Sequence, residues 1–373
     1  MIRILSIFSL FVFGTCGSPV SLTKPYSPPQ AAGRQLEQPK NIILMIGDGM
    51  GISQISAGLY SNHNKLNLER CPVVGLIKTH SADDLVTDSA AGGTAFATGK
   101  KTRNGSVGVG KNGQPHKSIL EIAEANGLMS GLVVTCEITH ATPACFYAHQ
   151  KSRNKHQDIA MDFINSEVDI FFGGGKRYFI ERWDEKNLLT DLKWKGFKVM
   201  DMEKDFTSIK LGDNEKLACF TGMDQPARQL KGRTYLADAT EFTIKELDTR
   251  SKKGFFMMVE GSQIDWGGHA NDTDYIVSEL LDFDKTVGKV LNFAAKDKET
   301  LVIITADHET GGLGVNKGSE MKMGELKTGY TTGGHTAAMV PVFAYGPGAE
   351  TFSGIYENTA IFDKMMKAYG FSK

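Results

Sequence analysis

The sequence predicts an α/β fold: a doubly wound, mostly parallel central sheet with helices on both faces. Two observations carry that expectation. Short apolar runs of about five residues recur without polar alternation, the pattern of strands buried on both faces. Each run stops at a break rich in glycine or acid, and amphipathic segments lie between the runs. Glycine occurs 41 times in 373 residues, above the usual ~7%. Many of these glycines stand beside acidic or hydroxyl residues, where the backbone must approach something closely.

In chain order, Ile42 to Ile46 runs into Gly47-Asp48-Gly49, and Leu132 to Thr135 leads to Glu137 and His140-Ala141-Thr142-Pro143. Val168 to Phe172 stops at three glycines, and Phe255 to Val259 ends in Glu260-Gly261. Leu301 to Thr305 ends in Ala306-Asp307-His308-Glu309, and Val340 to Tyr345 ends in Gly346-Pro347. Ser118 to Ala125 and Tyr275 to Phe293 read as amphipathic helices. Residues 176–235, with Trp183, Trp194 and dense charge, are expected as a small subdomain inserted over the site.

The N-terminus reads as an address. Arg3 precedes the almost wholly apolar Ile4 to Phe13, which is well short of the ~20 residues that span a bilayer. Residues 1–16 therefore read as an export signal, with small residues around Cys16 suited to cleavage. Cys16 also suits a lipid anchor, because bacterial lipoproteins are cut just before such a cysteine. Phe13 fits that pattern poorly, so soluble and anchored forms both stay open. Pro19, Pro25, Pro28, Pro29 and Pro39 make residues 17–39 an extended linker, and residues 40–373 the folded domain.

Charge is nearly balanced, 42 Lys+Arg against 43 Asp+Glu, which argues against nucleic-acid binding. Cys71, Cys136, Cys145 and Cys219 form no CxxC pair, so sulfur ligation of zinc is not expected. Their disulfide pairing stays open. Cys136 and Cys145 lie in apolar stretches and read as small buried hydrophobes.

Ligand sites of such sheets lie outside the carboxyl ends of the strands. Asp48, Glu260 and Asp307 each follow a strand, and three bare carboxylates share a rim only if protons or a cation neutralise them. Asp265 and His269 are four apart, on one face of a helical turn. His335 lies in a glycine-flanked loop. Asp and His favour zinc, whereas Asp, Glu and Thr oxygens favour magnesium. His63, His80, His116 and His156 read as satisfied core histidines. Thr87-Asp88-Ser89-Ala90-Ala91 offers a nucleophile at a helix start, although for this segment taken alone an ordinary cap by Asp88 or Ser89 is the preferred reading. Gly93 to Lys101 lacks the first glycine and the final hydroxyl of a nucleotide loop.

These residues together resemble the alkaline phosphatase family, over nearly all of 40–373. The resemblance rests on Ile46 to Gly51, Thr87 to Ala91, His140 to Ala144 with Ser152-Arg153, and Val259 to Gly261 with Asp265 and His269. Ala306 to Glu309 and Gly334-His335 complete it. It implies hydrolysis of phosphate monoesters through a phosphoserine on Ser89, with two zinc ions and one magnesium ion per chain. Asp265, His269 and His335 would hold the first zinc, and Asp48, Asp307 and His308 the second. Asp48 would bridge to magnesium, completed by Thr142 and Glu260. Arg153 would grip phosphate oxygens, a task for a planar bidentate donor. A homodimer, periplasmic or attached to the outer membrane, is also implied. The stretch Gly311 to Gly334 is expected to form a hairpin or loop that delivers His335.

Two residues depart from the common bacterial pattern: His140 replaces an aspartate beside the third metal, and Trp266 replaces a lysine near phosphate. The rival readings are a phosphodiesterase or sulfatase-like hydrolase, and an exported metal-binding or adhesion module without catalysis. An imidazole orients magnesium-bound water less well than a carboxylate does. Dialysis is therefore expected to strip magnesium faster from this chain than from its His140→Asp variant; equal loss from the two would contradict this.

Overall fold

A computed structural model describes residues 38–202, 206–318 and 326–372. The export signal, Cys16 and all of the linker before residue 38 lie outside the described residues. Among the described residues no helix is long and apolar enough to cross a membrane.

Fourteen strands are described. They are β1 (Asn41–Gly47), β2 (Val73–Lys78), β3 (Met129–Glu137), β4 (Ile170–Gly174), β5 (Phe197–Asp201), β6 (Lys216–Phe220), β7 (Phe255–Gly261) and β8 (Thr300–Thr305). Then come β9 (Glu309–Thr310), β10 (Gly314–Lys317), β11 (Lys327–Gly329), β12 (His335–Thr336), β13 (Val340–Tyr345) and β14 (Gly354–Glu357). Ten of these form one sheet in the order β14-β2-β13-β8-β1-β7-β3-β4-β6-β5. Within it only β13 runs against its neighbours.

The six apolar runs seen in the sequence are β1, β3, β4, β7, β8 and β13. The residues of β1, β4, β7 and β8 are buried throughout, as expected for strands covered on both faces. One helical layer contains Ile52–Ser61, Leu236–Arg250 and Thr273–Asp297; the other contains Ser89–Thr98, Ile119–Ala125 and Ala360–Tyr369. Both layers pack on the central strands.

Register brings the site together. Ile46 of β1 stands opposite Glu260 of β7 and Thr305 of β8. The three strands end level, so Asp48, Glu260 and Asp307 emerge at one rim.

The segment 176–235 supplies β5 and β6, which extend the main sheet at its edge, rather than a separate subdomain. Its helices Arg177–Ile180 and Leu188–Trp194 pack on the neighbouring helix His156–Asn165. The β6 run Leu217 to Phe220 is buried but short and flanked by charge, which hid it in the sequence. After β8 the chain makes the antiparallel hairpin β10–β11, and β12 pairs with β9, setting His335 opposite Thr310.

The helix predicted from Ser118 starts with a reciprocal cap. Ser118 Oγ accepts from the Glu121 amide at 3.1 Å, and the Ser118 amide donates to Glu121 Oε2 at 2.7 Å. Removing such a cap costs about 1 kcal/mol. Ser118→Ala is expected to lower the unfolding free energy by that amount, read as a lower urea midpoint with an unchanged slope.

Candidate active site

Asp48, Glu260 and Asp307 are fully buried and Asp265 nearly so. The Asp48 amide donates to the Gly261 carbonyl at 3.2 Å, and the Gly49 amide donates to Asp307 Oδ1 at 3.3 Å. Gly49 has φ +73°, and a Cβ there would lie 2.7 Å from Asp265 Cα. Only glycine satisfies both demands. Gly92 allows a similar approach, since its Cβ would meet Asp307 Cβ at 2.9 Å.

Ser89 opens the helix Ser89–Thr98, but Asp88 is the cap. Asp88 Oδ1 accepts from the Ala91 amide and Oδ2 from the Gly105 amide, each at 2.9 Å. The serine hydroxyl is thereby spared from capping. It points to His308, with Oγ 3.3 Å from Nε2. That same nitrogen lies 3.5 Å from Asp48 Oδ1 and 3.4 Å from Asp307 Oδ2.

The histidine tautomers follow from their partners. His269 Nδ1 lies 2.8 Å from the Gly333 carbonyl, and His335 Nδ1 lies 2.8 Å from the Thr87 carbonyl. A carbonyl only accepts, so each Nδ1 carries the proton and, on a neutral ring, each Nε2 presents a lone pair. Those two Nε2 atoms face each other at 3.1 Å and stand 3.4 and 3.5 Å from Asp265 oxygens. Lone pairs and carboxylates gathered this closely repel unless positive charge lies among them.

His308 is oriented by a chain of two bonds. The Thr310 hydroxyl donates to Asp265 Oδ1 at 2.5 Å, so its oxygen accepts from His308 Nδ1 at 3.2 Å. His308 also stacks on His335, with ring centroids 3.5 Å apart. Burial, then the neighbouring His335, holds the His308 ring well below the ordinary imidazole range.

Burial pushes the Asp48 carboxyl well above its usual range, and the charges of Asp307, Asp265 and Glu260 push it further. Burial likewise raises Glu260 to about 7. Both Asp48 oxygens, Asp307 Oδ2, Glu260 Oε1, Thr142 Oγ1 and His140 Nδ1 are buried without a hydrogen-bond partner. Native proteins leave few such atoms, and an ion is one standard explanation. Ligand atoms of Asp48, Asp307 and His308 lie within 4.8 Å of one another, as do those of Asp265, His308 and His335. Their nitrogen and oxygen donors fit zinc, whereas the oxygens of Asp48, Thr142 and Glu260 fit magnesium.

Arg153 closes the rim. Its Nη1 donates to Asp88 Oδ2 at 3.0 Å, and Nη2 donates to His140 Nε2 at 3.4 Å. Trp266 meets His140 edge-on with centroids 6.2 Å apart. Arg153, His140 and Trp266 thus lie against one another.

Outside the cluster, His63 is exposed and His80, His116 and His156 are half-buried, so none is the core histidine expected. Among the described residues Cys71, Cys136, Cys145 and Cys219 are all free and buried. Sequence reasoning passed over Thr310 and the bond from Asp88 to Arg153. In extended chain, residues two apart share a face, so the spacing of His308 and Thr310 carried a usable signal. It also missed how Glu309 ties the loops together. Glu309 accepts from Gln54 Nε2 at 2.7 Å, from the Leu313 amide at 3.2 Å and from the Thr336 hydroxyl.

Comparison with known proteins agrees with this geometry. The sequence profile of the alkaline phosphatase family matches residues 39–326 and 316–371. Alkaline phosphatase 3 of Bacillus subtilis is 35% identical over 414 aligned positions, covering 88% of each chain. The Escherichia coli alkaline phosphatase is 31% identical, covering 89% of this chain and 86% of the relative. The alkaline phosphatase structure from the Antarctic bacterium TAB5 is 45% identical, with a TM-score of 0.86, covering 91% of this chain and all of the other. The chain belongs to the alkaline phosphatase family and is an enzyme of that class.

The raised carboxyls predict a pH dependence of metal binding. An acid held above its unfolded value stabilises the fold while protonated, and that contribution is lost as pH rises through the folded value. For Glu260 the window runs from 4.5 to about 7. The gap in melting temperature between metal-loaded and chelated protein is expected to widen as pH rises through this window. A gap that stays constant would contradict it.

Proposed function

We propose that the chain hydrolyses phosphate monoesters through a phosphoserine on Ser89, releasing an alcohol and then inorganic phosphate. The observation that carries this reading is the Ser89 hydroxyl, uncommitted as a cap and 3.3 Å from a His308 nitrogen shared with two buried aspartates. We infer that Asp265, His269 and His335 hold one zinc, that Asp48, Asp307 and His308 hold a second, and that Asp48, Thr142 and Glu260 hold magnesium. When bound, such a metal pair stabilises the attacking and leaving oxygens of an in-line displacement.

The chain's own residues do the rest. Asp88 caps the helix and pins Arg153, so the guanidinium stands beside the helix start that carries Ser89. There it can bind two non-transferring phosphate oxygens with parallel donors, aided by the positive end of the helix. Ser89 Oγ forms the new bond to phosphorus as the ester oxygen leaves with a proton as the alcohol. Water then attacks phosphorus from the vacated side, returning the serine hydroxyl. Two inversions leave configuration at phosphorus retained. The near-complete burial of the carboxylates keeps competing water away and strengthens each electrostatic contact.

Magnesium finds support in a relative, since variants of the TAB5 enzyme are described with Mg bound in an M3 site. The N-terminal pattern supports export to the periplasm or attachment at the outer membrane through Cys16, and we read the active form as a homodimer.

Ser89→Ala is expected to abolish covalent labelling by phosphate and to lower turnover of an aryl phosphate by ~10³-fold or more. Phosphate labelling that persists in that variant removes Ser89 from the role. The wild type is expected to prefer the monoester over the corresponding diester and sulfate, and to lose activity with chelator. Preference for the diester or the sulfate would favour the rival hydrolase readings.

A further inference from the structure

Glu309 takes no part in the reaction above and is not among the proposed metal ligands. It follows His308 in the chain and pairs with Thr336, the neighbour of His335, across the β9–β12 ladder. The residue is buried, and four groups donate to its carboxylate. Oε1 accepts from Gln54 Nε2 at 2.7 Å and from the Leu313 amide at 3.2 Å. Oε2 accepts from the Gly312 amide at 3.2 Å and from the Thr336 hydroxyl. Together they match the roughly four lone-pair positions of a carboxylate. None of the four donors belongs to a proposed ligand, so this acid is spent on holding chain segments.

The segments it holds are those that aim two imidazoles. The turn at Gly311 to Leu313 backs the loop before β12. There the Gly311 amide donates to the Gly334 carbonyl at 2.9 Å, and the Thr331 and Thr332 amides donate to the Gly311 carbonyl at 3.1 and 3.2 Å. The same loop supplies the Gly333 carbonyl, which sets the ring of His269, and it ends at His335. Burial does little for these rings, since the His269 side chain is 42% exposed and that of His335 is 14% exposed. His308 is 0% exposed, and Asp48 and Asp307 stand within two residues of the ends of β1 and β8. The sheet positions the second group; the first depends on polar bonds between loops.

We propose that Glu309 is a positioning residue for the pocket of Asp265, His269 and His335, and that the pocket of Asp48, Asp307 and His308 does not depend on it. The proposal rests on the two-zinc reading above. Through Thr336 the carboxylate fixes the backbone next to His335, and through the turn it fixes the carbonyl that sets His269. Gln54 ties the arrangement to the helix Ile52–Ser61, because its Nε2 also donates to the Thr310 carbonyl at 2.7 Å. Bonds of this outer kind orient the ligands, and losing one weakens metal affinity by ~10–100-fold.

The test uses full-length protein stripped by chelator and reloaded with cadmium or zinc in excess magnesium. In cadmium NMR, wild type is expected to show one resonance for each of the two imidazole-containing pockets. His335→Ala identifies the first pocket by the resonance it removes. Glu309→Gln, which sets an amide nitrogen against groups that donate, is expected to lose or broaden that same resonance and to keep the other. Competition with a chromophoric chelator should find one zinc held ~10–100-fold more weakly, and aryl phosphate turnover should recover as free zinc is raised. Equal weakening of both pockets, or of neither, overturns the proposal. If Glu309→Gln does not fold, Thr336→Val, which removes one of the four donors, is read in the same way. Failure of the wider reading looks different: wild type then binds fewer than two zinc ions, or His335→Ala keeps both resonances, and the proposal falls with it.

Discussion

Carboxylates buried together at one strand-end rim are the constraint that organises this molecule. Asp48, Glu260 and Asp307 are wholly buried, and Asp265 is nearly so. The guanidinium closest to them, Arg153, is already paired with Asp88. Ionised carboxylates in such surroundings cost several kcal/mol each unless compensated, so the cluster favours protonation or a bound cation. The same repulsion that weakens the metal-free protein is what gives cations their hold.

The imidazoles are prepared for the same purpose by bonds made away from the metal cluster. The Gly333 and Thr87 carbonyls fix the protons of His269 and His335 on Nδ1, and Thr310 does so for His308. Each bond turns an Nε2 lone pair inward and prevents the ring from rotating to a useless tautomer. Thr310 links two of the expected metal groups, because its hydroxyl also donates to Asp265. Its own backbone is paired with His335 across the short β9–β12 ladder. The ladder therefore sets the spacing of three of the proposed ligands at once.

Precision of this kind needs a stiff support. The acids stand at the ends of β1, β7 and β8, the middle of a ten-stranded sheet, where both faces are covered and few motions are open. Gly49 and Gly92 let backbone approach Asp265 and Asp307 more closely than any side chain would permit. By contrast, His269 is 42% exposed at the lip, so the cluster meets solvent on its side. Stiff strands hold the charge, and the rim around them is more open.

The sequence by itself determined the central strands and the identity of nearly every polar residue in the site. Uninterrupted apolar runs can be satisfied only by burial on both faces, and an acid directly after such a run must emerge at a strand end. It could not decide register, which brought Asp48, Glu260 and Asp307 level, because pairing is a relation between distant segments. Nor could it foresee that 176–235 extends the sheet, since β5 sits at an edge and has only a mixed pattern of burial. The surroundings of Cys136 were equally hidden, because a thiol in an apolar run looks like filler until folding sets it beside Glu260 and His140.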